Sequence, residues 1–469
     1  MNGAMMSATS RLAMASAVGL LLSLGSAQAA DLGGNCCADL EERVAELEAT
    51  TARKGNRKVS LTISGQVNKQ IMHMGDDNQS RTIAGMDNIN NSTRFIFSGN
   101  AKMTPSVTAG FEMMVEWAGS NRSDLVSQRG TDQNNFVVPT VGLFTNASGD
   151  GSLAVRTANW WLEDKILGRV TVGRVNIQGP ASIIDISGGD VQLVAWSNPT
   201  LQGGGLFLAP SGGDATGRYF TNTLGNLLAY CYGCSREEGI RYDSASFGGL
   251  TFGAFWGEQD RFSIQFRYAT EHMGFQIAAG GGYQHDNNLA TILPGAGAAA
   301  PAPAVPGRSD IEQQAYALSI KHVASGIFVQ GNTGRTNFNR LSGVDTVGKN
   351  DGTMWQIQGG IARNWFGPGV TAFYGEYGRA QGYASGATAN TATAIPAAGN
   401  GHFVATGAGF ITADSVDYYG LGMTQKIDAA AMTLYLGWRH FNPSISTSGS
   451  GNVPLSDIDT VIGGARIQF

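Results

Sequence analysis

Charge is scarce in this chain. Only 14% of its 469 residues are Asp, Glu, Lys or Arg, against about 25% in an average soluble domain. Long apolar runs are missing too: beyond the N-terminus none approaches the ~18–20 residues of a transmembrane helix, which excludes a helical membrane protein. There is no GxSxG elbow, HExxH pair, P-loop or dinucleotide fingerprint. With six scattered His and four Cys, we expect no enzyme, no cofactor and no metal. A net charge of −5 and a pI of about 5.7 exclude nucleic acid as a partner. What the chain does have is glycine, 66 residues, about twice the usual share. Much glycine, little charge and an ordinary 42% hydrophobic content suit a transmembrane β-barrel, whose backbone bonds close on themselves.

The N-terminus reads as a leader. Arg11, an apolar run from Leu12 to Leu24 and Ser26-Ala-Gln-Ala-Ala30 form a basic region, a core too short to span and a small-residue cleavage site. Residues 1–30 are therefore expected to be a signal peptide, with a buried helix as the alternative. Residues 31–57 follow as a short periplasmic helix and linker. Cys37, Leu40, Val44, Leu47 and Thr51 make a two-heptad seam, too short to pair unaided. It suits either a stalk under an oligomer or a solvated helix.

From Lys58 to Phe469 sixteen segments alternate with period two, the sequence form of an antiparallel barrel. The last segment is 457–469, and its final ten residues, Thr460–Phe469, put Val461, Gly463, Ala465, Ile467 and Phe469 on one face. Val107–Trp117 is the cleanest, with Val107, Ala109, Phe111, Met113, Val115 and Trp117 out and Thr108, Glu112 and Glu116 in. The others are 59–71, 93–103, 152–163, 169–175, 237–245, 249–258, 261–270, 273–284, 311–323, 326–337, 353–365, 369–382, 414–427 and 431–441. Short turns and long polar loops alternate between them, except for a short link near Gln259 where a long one is due. A barrel with tight periplasmic turns at one end and external loops at the other sorts its connections this way. The loop at 176–236 is the longest, and loops of that length inside a compact domain are usually functional. The Ala/Pro/Gly stretches 293–307 and 384–400 read as flexible surface loops.

Three stretches carry a family resemblance: Cys36-Cys-Ala-Asp-Leu-Glu-Glu-Arg-Val-Ala-Glu-Leu-Glu48, Lys58-Val-Ser-Leu-Thr-Ile-Ser-Gly-Gln-Val-Asn68, and the block Gly239–Leu250 with the terminal Ile467-Gln-Phe469. Together they resemble the alphaproteobacterial outer-membrane porin family. The resemblance implies homotrimers of sixteen-stranded barrels in outer-membrane lipid, passing small hydrophilic solutes and ions by passive diffusion. It also implies that the third external loop, here 176–236, folds inward and narrows the pore. A solute-selective channel, for a sugar or an anion, is the alternative.

Inward parity places Arg94, Lys102, Arg156, Arg169, Arg241, Arg267, Lys321, Arg439 and Arg466 on the lumen side, with Glu112, Glu116, Asp243 and Glu376. Rings of fixed charge at a narrow place set ion preference. The expected constriction is a basic arc of Arg94, Arg156, Arg241 and Arg267, with Glu112 and Glu116 on the same wall, facing Asp185 and Asp190 on the long loop. Any one arginine is equally suited to a pairing that only stiffens the barrel. Outward Trp117, Tyr268, Phe373, Tyr377, Trp438 and Phe469 suit interfacial girdles or protomer packing. Cys231 and Cys234 form a CxxC pair, expected as a disulfide clipping the loop, with a redox or metal half-site as the alternative.

Overall fold

The computed structural model describes residues 59–117, 122–124, 126–128, 153–177, 185–195, 199–211, 218–220, 222–228, 236–258, 261–286, 308–340, 351–384, 388–394, 403–448 and 451–469. The leader, the heptad stretch, all four cysteines and the 293–307 stretch lie outside these residues.

Alternation of apolar and polar side chains does build a closed barrel. Its sixteen strands are β1 (Thr62–Gly75), β2 (Arg94–Lys102), β3 (Val107–Trp117), β4 (Leu153–Asp164), β5 (Gly168–Asn176), β6 (Arg236–Asp243), β7 (Leu250–Gly257) and β8 (Phe262–His272), then β9 (Phe275–Asp286), β10 (Arg308–His322), β11 (Ile327–Arg340), β12 (Asp351–Arg363), β13 (Thr371–Gln381), β14 (Phe403–Ile427), β15 (Met432–Thr447) and β16 (Ile458–Gln468). Each pairs antiparallel with the next. The ring closes where β16 pairs with β1, from Gln468 opposite Gln66 to Asp459 opposite Gly75. The terminal Phe469 finishes the seam: its N–H donates to the Gly65 carbonyl at 3.1 Å, and its carbonyl accepts from the Gly65 N–H at 2.9 Å. Closure removes both sheet edges, the requirement for backbone inside a bilayer.

Parity decides which face meets lipid. Ile63, Val67 and Ile71 of β1 are exposed, while Gln66, Asn68 and Gln70 between them are buried inside. The same holds in β12, where Trp355 and Ile357 face out and Gln356 and Gln358 face in. Ile357 is at the centre of that strand, so Ile357→Arg is expected to cost about 2–4 kcal/mol at the bilayer midplane. Urea titration of the folded barrel in lipid vesicles would show it, and a neutral result would mean that this face is not lipid-exposed.

The short turns have local causes. The Thr104 hydroxyl accepts from the N–H groups of Ser106 and Val107 at 3.3 and 3.0 Å, tightening the β2–β3 turn. Met273 and Gly274 both have positive φ, 50° and 78°, the two-residue turn whose twist matches a β-hairpin.

Three expectations need correction. The stretch 72–91 is not a plain loop, because β1 runs on to Gly75 and a strand at Ser80–Asp87 pairs back onto it. That strand and β2 lie along the same edge of β1, separated by a single 3-10 turn at Ile89–Asn91 that steps inward. Next, β14 begins at Phe403 rather than 414. Finally, part of 384–400 is ordered: Thr388–Ala394 pairs with 403–410 and also with Arg218–Phe220 of the long loop. An alanine- and threonine-rich segment carries no strong alternation, so this ladder left no signature in the sequence.

Candidate pore constriction

The long loop between β5 and β6 enters the barrel. Its segment 185–195 lies along the inner wall of β10 to β16, held chiefly by wall groups that reach its backbone. Lys321 Nζ donates to the Ser187 carbonyl at 2.7 Å and Gln358 Nε2 to that of Ala195 at 2.5 Å. Thr424 Oγ1 donates to the Gly189 carbonyl at 2.5 Å, and Asn88 Nδ2 to that of Leu193 at 2.8 Å. On the way back, Gln202 accepts from Gln70 at 3.0 Å and donates to Asn88 Oδ1 at 2.8 Å.

The wall is cut to receive this segment. A Cβ added at Gly437 would collide with Val194 Cγ1, and one at Gly189 would lie 2.5 Å from Ala372 Cβ. Val191, Leu193, Val194, Leu206, Leu208 and Leu224 of the loop are buried in one cluster with Met72, Tyr374, Tyr435, Ile458 and Ile462 of the wall. Burying such side chains is worth about 1.5–3 kcal/mol each, so the loop is held to the wall by a packed apolar core. Beneath it a bidentate pair joins Arg439 to Glu376 at 2.8 and 3.0 Å. Gln356 also donates to Glu376, at 2.7 Å.

Asp190 anchors the loop through charge. Its φ of 58° is left-handed, a conformation Asp tolerates better than most residues. Its carboxylate meets Arg466 at 2.7 Å, the Thr433 hydroxyl at 2.8 Å and Lys426 at 3.8 Å. Asp185 instead accepts from its own loop, the N–H groups of Ser187 and Gln192. Both carboxylates line one cleft with Asn91, Gln192 and Arg466.

The bare wall opposite starts at β2. There Arg94 donates to Asn91 and Arg156 pairs with Glu116, which also accepts from Ser92 at 2.7 Å. Thr157 donates to Glu112 at 2.8 Å. The β3–β4 register slips between Met114 opposite Thr157 and Val115 opposite Val155. Arg156 is thus the extra residue of a β-bulge, a device that re-aims a side chain. Nearby in the external loop, burial works against the Arg122 charge, yet the Asp124 ion pair at 2.7 Å raises its pKa above the ordinary value.

The expected site residues therefore fall into three groups. Arg94, Glu112, Glu116 and Arg156 lie together on β2–β4. Asp185 and Asp190 lie on the loop, but the partners of Asp190 are Arg466 and Lys426 rather than the arginines of the expected arc. Arg241 and Arg267 form a separate cluster on β6 and β8, where Arg241 pairs with Asp243 at 2.8 Å. Cys231 and Cys234 lie outside the described residues. Sequence reasoning missed Asn91 and Lys426 altogether and read Arg466 as wall charge only. The one signal for the loop seat was the inward glutamines Gln70 and Gln358, which meet Gln202 and the Ala195 carbonyl of the loop rather than water.

Removing the Asp190 charge should be visible in ion preference. Asp190→Asn leaves Arg466 and Lys426 uncompensated beside the pore. The anion-to-cation permeability ratio is expected to rise about two- to fivefold, the effect of one unit charge a few ångströms away in water. Reversal potentials in a KCl gradient read this directly, and an unchanged ratio would place Asp190 away from the ion path.

A family model described as Gram-negative porin matches residues 12–400. No curated protein matches the chain. Among solved structures, an anion-selective porin from Comamonas acidovorans is 13% identical, with a TM-score of 0.49 over 88% of this chain and 100% of that one. OmpT, an outer membrane protein of Vibrio cholerae in trimer form, is 10% identical, with a TM-score of 0.46 over 88% and 99%. Salmonella typhi OmpF in complex with daunomycin is 13% identical, with a TM-score of 0.43 over 89% and 99%.

Proposed function

The chain belongs to the Gram-negative porin family, outer-membrane channels for passive diffusion of small hydrophilic solutes and ions, and from that premise we propose that it acts as a homotrimer of pores, each narrowed by its own inner loop. The observation that carries this reading is the placement of 185–195. One half of the wall is roofed by that loop, and the other half, β2 to β8, presents charged side chains. Ions and solutes then pass through an off-centre gap between Asp185, Asp190 and Arg466 on one side and Arg94, Glu116 and Arg156 on the other. Fixed charge on both sides disfavours apolar solutes and sets no specific pocket for one substrate. We assign the chain no catalytic role. The trimer rests on the family resemblance and on the N-terminal heptad seam, which three gathered chains would stabilise. The alphaproteobacterial placement rests on the stretch from Cys36 to Asn68.

Single-channel recording of the purified protein in a planar bilayer tests the reading. Steps of constant size that close in threes are expected. Single closures would remove the trimer and leave the pore, and folded but silent barrels would remove the pore. Saturable block by one sugar or anion would move the function to a solute-selective channel.

A further inference from the structure

At the short-turn end of the lumen three arginines converge around one aspartate. Arg169 lies opposite Asp243 across β5 and β6, both at strand ends that abut short turns. Arg241 is two residues before Asp243 on the same face and holds it side-on, Nε to Oδ2 at 2.8 Å and Nη2 to Oδ1 at 2.9 Å. Arg267 pairs across to Thr251, the second residue of β7. The inward face of these strands is fixed by Phe255, which is buried opposite Arg241, while Phe252 and Trp256 face out.

A missing side chain opens this cluster. On the inward face Gly253 stands between Asp243 and Gln265. A Cβ there would sit 3.4 Å from Asp243 Oδ1 and 3.1 Å from Gln265 Nε2, so the space between the two strands belongs to their polar ends. Arg169 is committed elsewhere: its Nε donates to Glu163 at 2.8 Å, and its guanidinium stacks over the lumenal Trp161 ring at 4.1 Å. Arg267 is different. It is exposed, and among the described residues its guanidinium has no ion pair or hydrogen bond. The nearest acid along its own strand face, Glu271, is beyond Ala269 and accepts from Gln276 at 3.1 Å. Three guanidiniums thus face two carboxylates, and the uncompensated one points into water.

We propose that Arg267, flanked by Arg241 and Arg169, forms a retention site for small oxyanions at the periplasmic mouth of the pore, with phosphate or carboxylate groups as its ligands. A guanidinium fork matches two oxygens of such an anion, which a spherical halide does not offer. A positive patch at a channel mouth also raises the local concentration of anions before they meet the constriction. The site is separate from the Arg94–Glu116–Arg156 strip and adds an anion step to the diffusion route, so it rests on the porin reading.

The test uses the full-length protein in single-channel recordings in KCl, with inorganic phosphate added to one chamber at a time. Phosphate is expected to reduce chloride current more strongly from one side, the short-turn side. In Arg267→Gln the half-blocking phosphate concentration should rise about fivefold, the Boltzmann weight of a unit charge pair ~4 Å apart in water. Arg267→Lys keeps the charge without the fork and should fall between the two. Equal block from both chambers in the wild type, or an unchanged half-block in Arg267→Gln, overturns the site. Sidedness in the wild type decides the matter even if a variant inserts poorly. A protein that conducts normally but ignores phosphate counts against this site alone, whereas one that never conducts counts against the porin reading.

Discussion

Glu376→Ala is expected to destabilise the barrel by about 3–5 kcal/mol, the cost of leaving one member of a buried ion pair without the other. Arg439 and Glu376 are 5% and 1% exposed at their side chains, so water does not replace the lost carboxylate. The damage spreads through the loop seat. Gln356 loses its acceptor, and Gln358, which holds the Ala195 carbonyl, loses its second contact at 3.3 Å. Arg439 also stands 5.5 Å from the Tyr418 ring and 5.8 Å from that of Phe441, so its freed charge faces an apolar surround. Gel-shift unfolding in urea gives the free energy, and Glu376→Gln should retain part of it through hydrogen bonding. A loss below about 1 kcal/mol, the range of exposed pairs, would show that water reaches this pair and that the loop does not seal the wall.

The sequence made the barrel readable because a closed sheet in lipid imposes one rule on every strand. Phe95 and Phe97 out with Arg94 and Ser98 in needs no knowledge of neighbours, only the pleat. The order of short and long connections is equally local. What the alternation leaves open is which wall residues meet the loop. Asp190 reaches Arg466 and Thr433 across more than two hundred residues of chain, and nothing near Asp190 encodes those partners. Arg156 shows a second limit. Simple counting set it inward, but it is the extra residue of a bulge, and a bulge depends on the register of the partner strand. Gly437 shows a third, since a glycine in a strand marks close approach without saying of what. Here it is Val194.

Gly437→Val is expected to lift the loop from the wall and widen the pore. The added side chain would occupy the volume of Val194 Cγ1, so either the strand or the loop has to move. Gly437 is locked on both sides, opposite Gly422 in β14 and Ile462 in β16. Shifting it breaks ladder bonds inside a bilayer, where the freed groups find no water. The loop is held at this point by side-chain bonds rather than by a strand ladder: Val194 donates to Val191 of its own turn, and the carbonyls on either side of it are held by Asn88 and Gln358. The loop therefore gives way. Overpacking of this kind costs typically about 1–3 kcal/mol, which leaves the barrel folded. Single-channel conductance should rise, and larger neutral sugars should pass in liposome swelling, with Gly437→Ala showing a smaller gain. Lower stability with unchanged conductance would mean that the wall yields instead, and the narrowest part of the pore would then have to be sought away from residues 185–195.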